Sequence, residues 1–406
     1  MNIINTKDLK QGQMFTEPVF TDGNNMLVPA NFPLRQKDID VLVSWGIKEV
    51  KTEGIVIDKV DDPFEIPDDF LEAAMVTEIE SKAAAVPEPP QKAAIKFSIS
   101  EVQQNSGPYR AYKNLIGKLD TVFSGLKTGA DVEMRMVDNI SVQLLQDLRD
   151  HPDSFVGFIL GGEVSGNELA KSSVNTAILS AMTAYEMKLP NHKINNIVSG
   201  ALLHDVGMLR LSKGITEKKG GLSDAELEQI KSHPLHSSKI VQKELFGSHE
   251  VNLIALHHHE RWDGQGYPDK LVGPAIDVGA RIVSVADAFE AMVSKKSYRA
   301  SLGGYQAVKN LMADNARRFD PAVIMAFTKV MGIYPIGSIV RLNDSSVARV
   351  LKVHTDAPMR PMVQLLMDKA GAAINIKNIP PVDLLADKSL FIKSAIDPSE
   401  IVNLNA

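Results

Sequence analysis

The sequence predicts a mainly α protein: a helical bundle with a small N-terminal α+β module and a C-terminal β appendage. Three observations carry that expectation. Apolar residues recur at spacings of three and four through much of 97–333, short apolar runs alternate with turn residues before about residue 80, and strand-like runs follow Tyr334-Pro335. With 406 residues, 44% of them hydrophobic, the chain is long enough for two or three cores.

Taken in order, residues 1–80 form the α+β accessory or sensory module. Met26-Leu27-Val28 and Glu49-Val50 read as strands, and Asp22-Gly23-Asn24 as a turn. Asp38 to Trp45 has helical spacing, and Gly46 is placed to cap it. Residues 81–96 are rich in Ala and Pro and lack periodicity. Pro87, Pro89 and Pro90 cannot sit inside a helix or a central strand, so this stretch reads as a linker.

Residues 97–333 read as the helical domain. Its clearest stripes are Leu115, Leu119, Val122, Phe123 and Leu126, then Ile140, Val142, Leu144, Leu145 and Leu148, then Ile194, Ile197, Val198, Ala201 and Leu202, which run into His204-Asp205. In residues 334–406, the stretches 337–342 and 348–353 read as strands separated by the polar turn Asn343-Asp344-Ser345-Ser346.

Composition narrows the chemistry. There is no cysteine, which excludes disulfides, thiolate ligands and cysteine nucleophiles. Any transition-metal site must therefore use His, Asp and Glu. A net charge of -6 and a pI near 6.0 argue against a general nucleic-acid or anionic-membrane binder. An anionic small substrate is still compatible, because a metal supplies local positive charge. The N-terminus has no basic-then-apolar signal pattern, and no apolar run reaches the roughly 18 residues of a membrane span, so the expectation is a cytoplasmic protein.

Seven of the ten histidines lie between 204 and 259. A lone histidine is usually structural. Here His204-Asp205, His233 and His257-His258-His259-Glu260 sit in three helix-like segments, with Asp287 in a fourth. A bundle can aim such groups at one interior point, and burying them together without a cation would be costly, so the cluster reads as a metal site.

The order of these residues is more specific. His204-Asp205-Val206-Gly207 is followed by His233-Pro234, by His258-His259-Glu260-Arg261-Trp262-Asp263-Gly264-Gln265-Gly266-Tyr267-Pro268, and by Val285-Ala286-Asp287-Ala288. Over about residues 97–333 this closely resembles the HD-GYP family, a branch of the HD phosphohydrolase superfamily. The resemblance implies an HD-type helical bundle that hydrolyses cyclic di-GMP to linear pGpG, to GMP or to both, by means of a metal-bridged hydroxide. It makes His204 and Asp205 the central ligands, with Asp205 bridging two metals. It gives His233, His258 and His259 to the second ion and Asp287 to the first. The implied cofactors are two divalent ions, iron or manganese, and the all N and O donor set suits both.

The same resemblance makes Gly266, Tyr267 and Pro268 a lip of the substrate site, or a docking surface for a diguanylate cyclase or another signalling protein. It offers Lys218, Arg281 and Lys296 as cations for the phosphates.

The sequence also departs from the family pattern. Ser172 stands where a ligand histidine is usual, and Glu168, one turn earlier on the same helix face, is the candidate to compensate. Met208 replaces a lysine thought to contact substrate phosphate, and Ser237 replaces a glycine. These losses motivate a second expectation, a degenerate member acting as a cyclic di-GMP receptor or a protein-docking module. A third is an HD phosphohydrolase for a different nucleotide, which the intact Gly-Tyr-Pro loop disfavours.

Overall fold

The three-and-four spacing becomes helix where the sequence places it. In the computed structural model the described residues are stretches of 2–57, and 107–396 apart from 162–166, 217, 219–220, 295–302, 315–316 and 375–378. The chain divides into two units, Met1–Phe70 and Leu71–Ala406. The linker expected over 81–96, the turn at Asp22-Gly23-Asn24 and most of the helix expected from Asp38 to Trp45 lie outside the described residues.

The N-terminal unit holds β1 (Asn2–Asn5), β2 (Met14–Phe15), β3 (Val19–Phe20), β4 (Met26–Val28), β5 (Glu49–Thr52) and β6 (Val56–Ile57). They form an antiparallel sheet of order β1-β5-β3-β4 and a separate β2-β6 pair. Phe15, Val19, Leu34, Leu42 and Val50 are fully or almost fully buried and form its core with Leu9 and Ile39.

The second unit begins with α1 (Gly107–Thr128), α2 (Met134–Asp150), α3 (Pro152–Gly161), α4 (Glu168–Glu186) and α5 (Asn191–Leu203). A 3-10 turn over Val206–Arg210 precedes α6 (Lys213–Thr216), α7 (Asp224–Lys231), α8 (His233–Lys243) and α9 (His249–His257). Then come α10 (Val278–Val293), α11 (Gly304–Ala313) and α12 (Pro321–Met331). The expected stripes are buried, with one correction. Val142 is 59% exposed, because a residue two positions from Ile140 points to a different side of a helix.

Helix α4 is the axis of this bundle. It packs against α1, α5, α10 and α12, and its residues from Ala170 to Ala181 are all buried. Asn167 starts it by accepting hydrogen bonds from the Leu169 and Ala170 amides, which satisfies donors that a first helical turn leaves open. None of the helices among the described residues is long and apolar enough to cross a membrane.

Strands β7 (Ile339–Leu342), β8 (Val347–Lys352), β9 (Met362–Met367), β10 (Val382–Asp383) and β11 (Ile392–Ile396) make the C-terminal sheet. It is antiparallel, in the order β10-β9-β8-β7-β11. Its core is Tyr334, Val340, Leu342, Ala348, Val350, Val363 and Leu384. Tyr305 of α11 stacks on Tyr334 at 5.2 Å, so the sheet shares packing with the bundle.

Candidate metal centre

The candidate ligands lie mostly at helix ends, which corrects the expectation that they sit within helical segments. His204 caps α5, and Asp205 opens the 3-10 turn. His233 begins α8, followed by Pro234 in the first turn, where a missing amide proton costs nothing. His258 caps α9, and His259 follows in a turn. Asp287 alone lies inside a helix, α10.

Close backbone approach makes the convergence possible. A Cβ on Gly207 would lie 2.1 Å from the His233 carbonyl and 2.6 Å from the Ser237 amide nitrogen. Ser237 fastens the contact. Its Oγ donates to the His204 carbonyl at 2.6 Å and accepts from the Gly207 amide at 2.8 Å. Ser237 therefore ties α8 to the His-Asp turn.

Three imidazoles are oriented in the same way. His204 Nδ1 lies 2.7 Å from the Ala201 carbonyl, His233 Nδ1 2.7 Å from that of Ile230, and His258 Nδ1 3.1 Å from that of Ala255. A carbonyl can only accept, so each Nδ1 carries a proton and each Nε2 faces inward. His233 Nε2 is 3.1 Å from Asp205 Oδ1, and His258 Nε2 is 3.7 Å from it. His204 Nε2 lies 3.4 Å from Asp205 Oδ2 and 3.5 Å from Asp287 Oδ1.

The donor atoms form two sets that share one residue. Asp205, His233, His258 and His259 make one; His204, Asp205 and Asp287 make the other; within each, the atoms lie within 4.8 Å of one another. The electrostatics suit a cation. Burial pushes His258 down to about 4 and His259 well below the usual imidazole value, which keeps both neutral. Burial also opposes charge on His204, but Asp205 and Asp287 outweigh it and hold its pKa well above the ordinary value. Burial likewise pushes Asp205 up, and His204 with the neighbouring imidazoles outweighs it, so its carboxyl is held well below the usual range.

The residues fit divalent ions on two further counts. The Nε2 atoms of His233 and His258 face each other at 3.1 Å, where two lone pairs repel unless a cation stands between them. The buried His204 Nε2 has no hydrogen-bond partner among the described residues. Imidazole donors anchored through Nδ1 to carbonyls are a usual arrangement of metal-ligating histidines.

The Gly-Tyr-Pro loop is built onto this centre. A Cβ on Gly266 would lie 2.3 Å from the Arg261 nitrogen and 2.6 Å from the His259 carbonyl, so only glycine permits the approach. The Tyr267 ring stacks on His259 at 5.0 Å, and the Tyr267–Pro268 peptide is cis. Buried Glu260 accepts from the Asp269 and Leu271 amides at 2.6 and 3.0 Å and holds the exit of the loop.

Other sequence candidates lie elsewhere or are engaged. Lys218 pairs with Glu226 at 2.7 Å. Arg281 pairs with Asp320 at 2.6 Å and lies over the Trp262 ring. Lys296 is outside the described residues. Glu168 is in neither donor set; it pairs with Lys171 at 3.0 Å, and its side chain is 64% exposed. Ser172 donates to Glu290 Oε2 at 2.7 Å. Glu290 is fully buried and also accepts from Asn175 at 3.1 Å and Ser294 at 2.5 Å, while Tyr112 donates to Asn175.

Sequence reasoning gave no role to Glu290, Ser237, Glu260 or Arg318. Helical spacing offered a signal for two of them, since Glu290 is three residues from Asp287 and Ser237 four from His233. Nothing local marks Arg318.

Residues 164–323 match the HD domain family, and residues 339–404 match a KOW domain associated with the HD domain. The cyclic di-GMP phosphodiesterase PdeB of Borreliella burgdorferi is 27% identical over 310 residues, 76% of this chain and 81% of that protein. A cyclic di-GMP phosphodiesterase of Pseudomonas aeruginosa is 31% identical over 57% of this chain and 54% of its own length. The response regulator RpfG of Xanthomonas campestris, also named a cyclic di-GMP phosphodiesterase, is 36% identical over 37% of this chain and 40% of its own. The chain thus spans most of the first relative and about half or less of the other two. A solved HDG"Y"P protein of Bdellovibrio bacteriovorus aligns with 81% of this chain and 98% of its own, with a TM-score of 0.47 and 14% identity. Residues 164–323 of the chain are thus similar to the HD domain family, and the order of its motifs resembles that of the HD-GYP family.

Proposed function

We propose that the chain is a metal-dependent phosphodiesterase that hydrolyses cyclic di-GMP to linear pGpG, to GMP or to both. The observation that carries this reading is Asp205, whose two oxygens face two different donor sets. The named activity of the relatives supports the substrate.

In this reading His204, Asp205 and Asp287 would hold one divalent ion, iron or manganese, and Asp205, His233, His258 and His259 would hold a second. Bound ions supply Lewis acidity toward phosphate oxygens and lower the pKa of coordinated water. The protein's part is to keep His258 and His259 neutral, to aim the imidazoles, and to exclude water on the bundle side, where His204, His233 and His258 are fully buried. Tyr267 presses one face on His259 and so stiffens a ligand from outside; with Gly266 and Pro268 it forms the lip where substrate, or a partner signalling protein, would meet the centre.

The cations differ in readiness. Lys218 would have to leave Glu226 to meet a phosphate, and Arg281 would have to leave Asp320. Lys296 is kept as a phosphate contact on the resemblance alone. Glu168 would have to leave Lys171 to reach an ion.

One observation favours the receptor reading. Ser172, at the position of a family ligand, is tied to Glu290, and Met208 brings no charge. Metal analysis of the purified chain, with anaerobic turnover and equilibrium binding of cyclic di-GMP after loading with manganese or iron, separates the two. Turnover is expected. Binding without turnover gives the receptor, and neither binding nor turnover sinks both.

A further inference from the structure

The candidate cations for the phosphates are mostly partnered. Lys218, Arg281 and Arg261 face Glu226, Asp320 and Asp263. Arg318 is different. Among the described residues its guanidinium makes no hydrogen bond and no ion pair, and it rests on the Phe319 ring at 5.1 Å. It is only partly buried.

Its place is fixed by the backbone. The Trp262 amide donates to the Arg318 carbonyl at 2.9 Å and the Asp263 amide to the Arg317 carbonyl at 3.0 Å, so this segment runs beside the Gly-Tyr-Pro loop. The guanidinium is within electrostatic reach of Asp287, Tyr267, Asp314 and Arg261, and its charge is felt at His259. Asp287 and His259 belong to the two donor sets, and Tyr267 to the lip of the site. Of the two nearby carboxylates, Asp314 is hydrogen-bonded to Arg317 at 3.3 Å and Asp287 belongs to a donor set.

A guanidinium cannot shed its proton near neutral pH. Holding it partly desolvated without an acceptor is unfavourable, and burial pulls its pKa down. Such a group is suited to an acceptor that arrives with the ligand. Its planar fork matches two oxygens of one phosphate.

We propose that Arg318 is a substrate-binding residue that grips a phosphate oxygen pair of the cyclic dinucleotide, a charge that Met208 does not provide. This rests on the phosphodiesterase reading above.

The test uses full-length, metal-loaded protein. Arg318→Met keeps the apolar stem, and Arg318→Lys keeps the charge but loses the fork. Metal content is measured first and is expected to be unchanged, since Arg318 belongs to neither donor set. KM and the equilibrium Kd for cyclic di-GMP are expected to rise about ten- to a hundredfold in Arg318→Met, as for loss of a charge-assisted hydrogen bond. Arg318→Lys should recover part of this. Arg318→Gln repeats the measurement should Arg318→Met fold poorly. Wild-type KM and Kd in a neutral variant of unchanged metal content overturn the proposal and leave hydrolysis standing. If the wild type binds without turnover, the Kd comparison still decides the role of Arg318 and only the hydrolytic reading fails. If the wild type neither binds nor turns over cyclic di-GMP, both are overturned.

Discussion

The two donor sets share Asp205 and are supported in different ways. In the four-member set, His233 and His258 are each steadied by a carbonyl three residues earlier in the chain, and Tyr267 covers His259. That support is mostly local and travels with each helix end. The three-member set has His204 steadied in the same manner, but Asp287 stands on α10, one turn from a network joining Ser172 and Asn175 to Glu290 across 118 and 115 residues. Ser172, where the resemblance leads one to expect another ligand, instead donates to the buried Glu290 carboxylate. One donor set thus rests on local devices, while its neighbour adjoins a long-range network.

The largest expected effect breaks both sets at once. Asp205→Ala should weaken metal binding by more than about a hundredfold, since changes in the surrounding shell alone cost roughly 10- to 100-fold, and turnover should fall to background. Metal analysis alongside the activity assay checks this. A variant with two tightly held ions and wild-type rate would mean that the shared carboxylate is misassigned.

Next in size is Gly207→Ala, which acts on one set. The added Cβ meets the His233 carbonyl at 2.1 Å, so α8 must shift away from the His-Asp turn, at a cost of about 2–3 kcal/mol. Urea unfolding reads the cost. Metal loss should fall first on the His233 set, and equal loss from both sets would show that they are not separable.

The smallest effect sharpens the other side. Ser172→Ala leaves one oxygen of the buried Glu290 without its donor and should destabilise by about 1–2 kcal/mol, with metal occupancy unchanged. A fall in occupancy would draw the Glu290 network into the metal centre.

Much of the molecule was legible without coordinates. The stripes of α1, α2 and α5, and the strands β7 and β8, follow from periodicity. The candidate donor residues were read from motif order and the resemblance it carries. Val142 was misplaced because a stripe judged by eye admits neighbours two residues apart. Lys218 and Arg281 were legible as charges, but their carboxylate partners Glu226 and Asp320 were not.

What the sequence determined by itself is therefore the helical texture, the change to strands after Tyr334, the cysteine-free donor chemistry and the identity of the histidines and aspartates. These depend on residue type and on spacings of a few positions. Tertiary structure alone decided that Gly207 lets α8 reach the His-Asp turn, that Ser237 locks it there, that Ser172 serves Glu290, and that Arg318 comes beside a loop more than 50 residues earlier in the chain. Such contacts depend on how whole helices pack, and short-range patterns carry no measure of the distance between elements far apart in sequence.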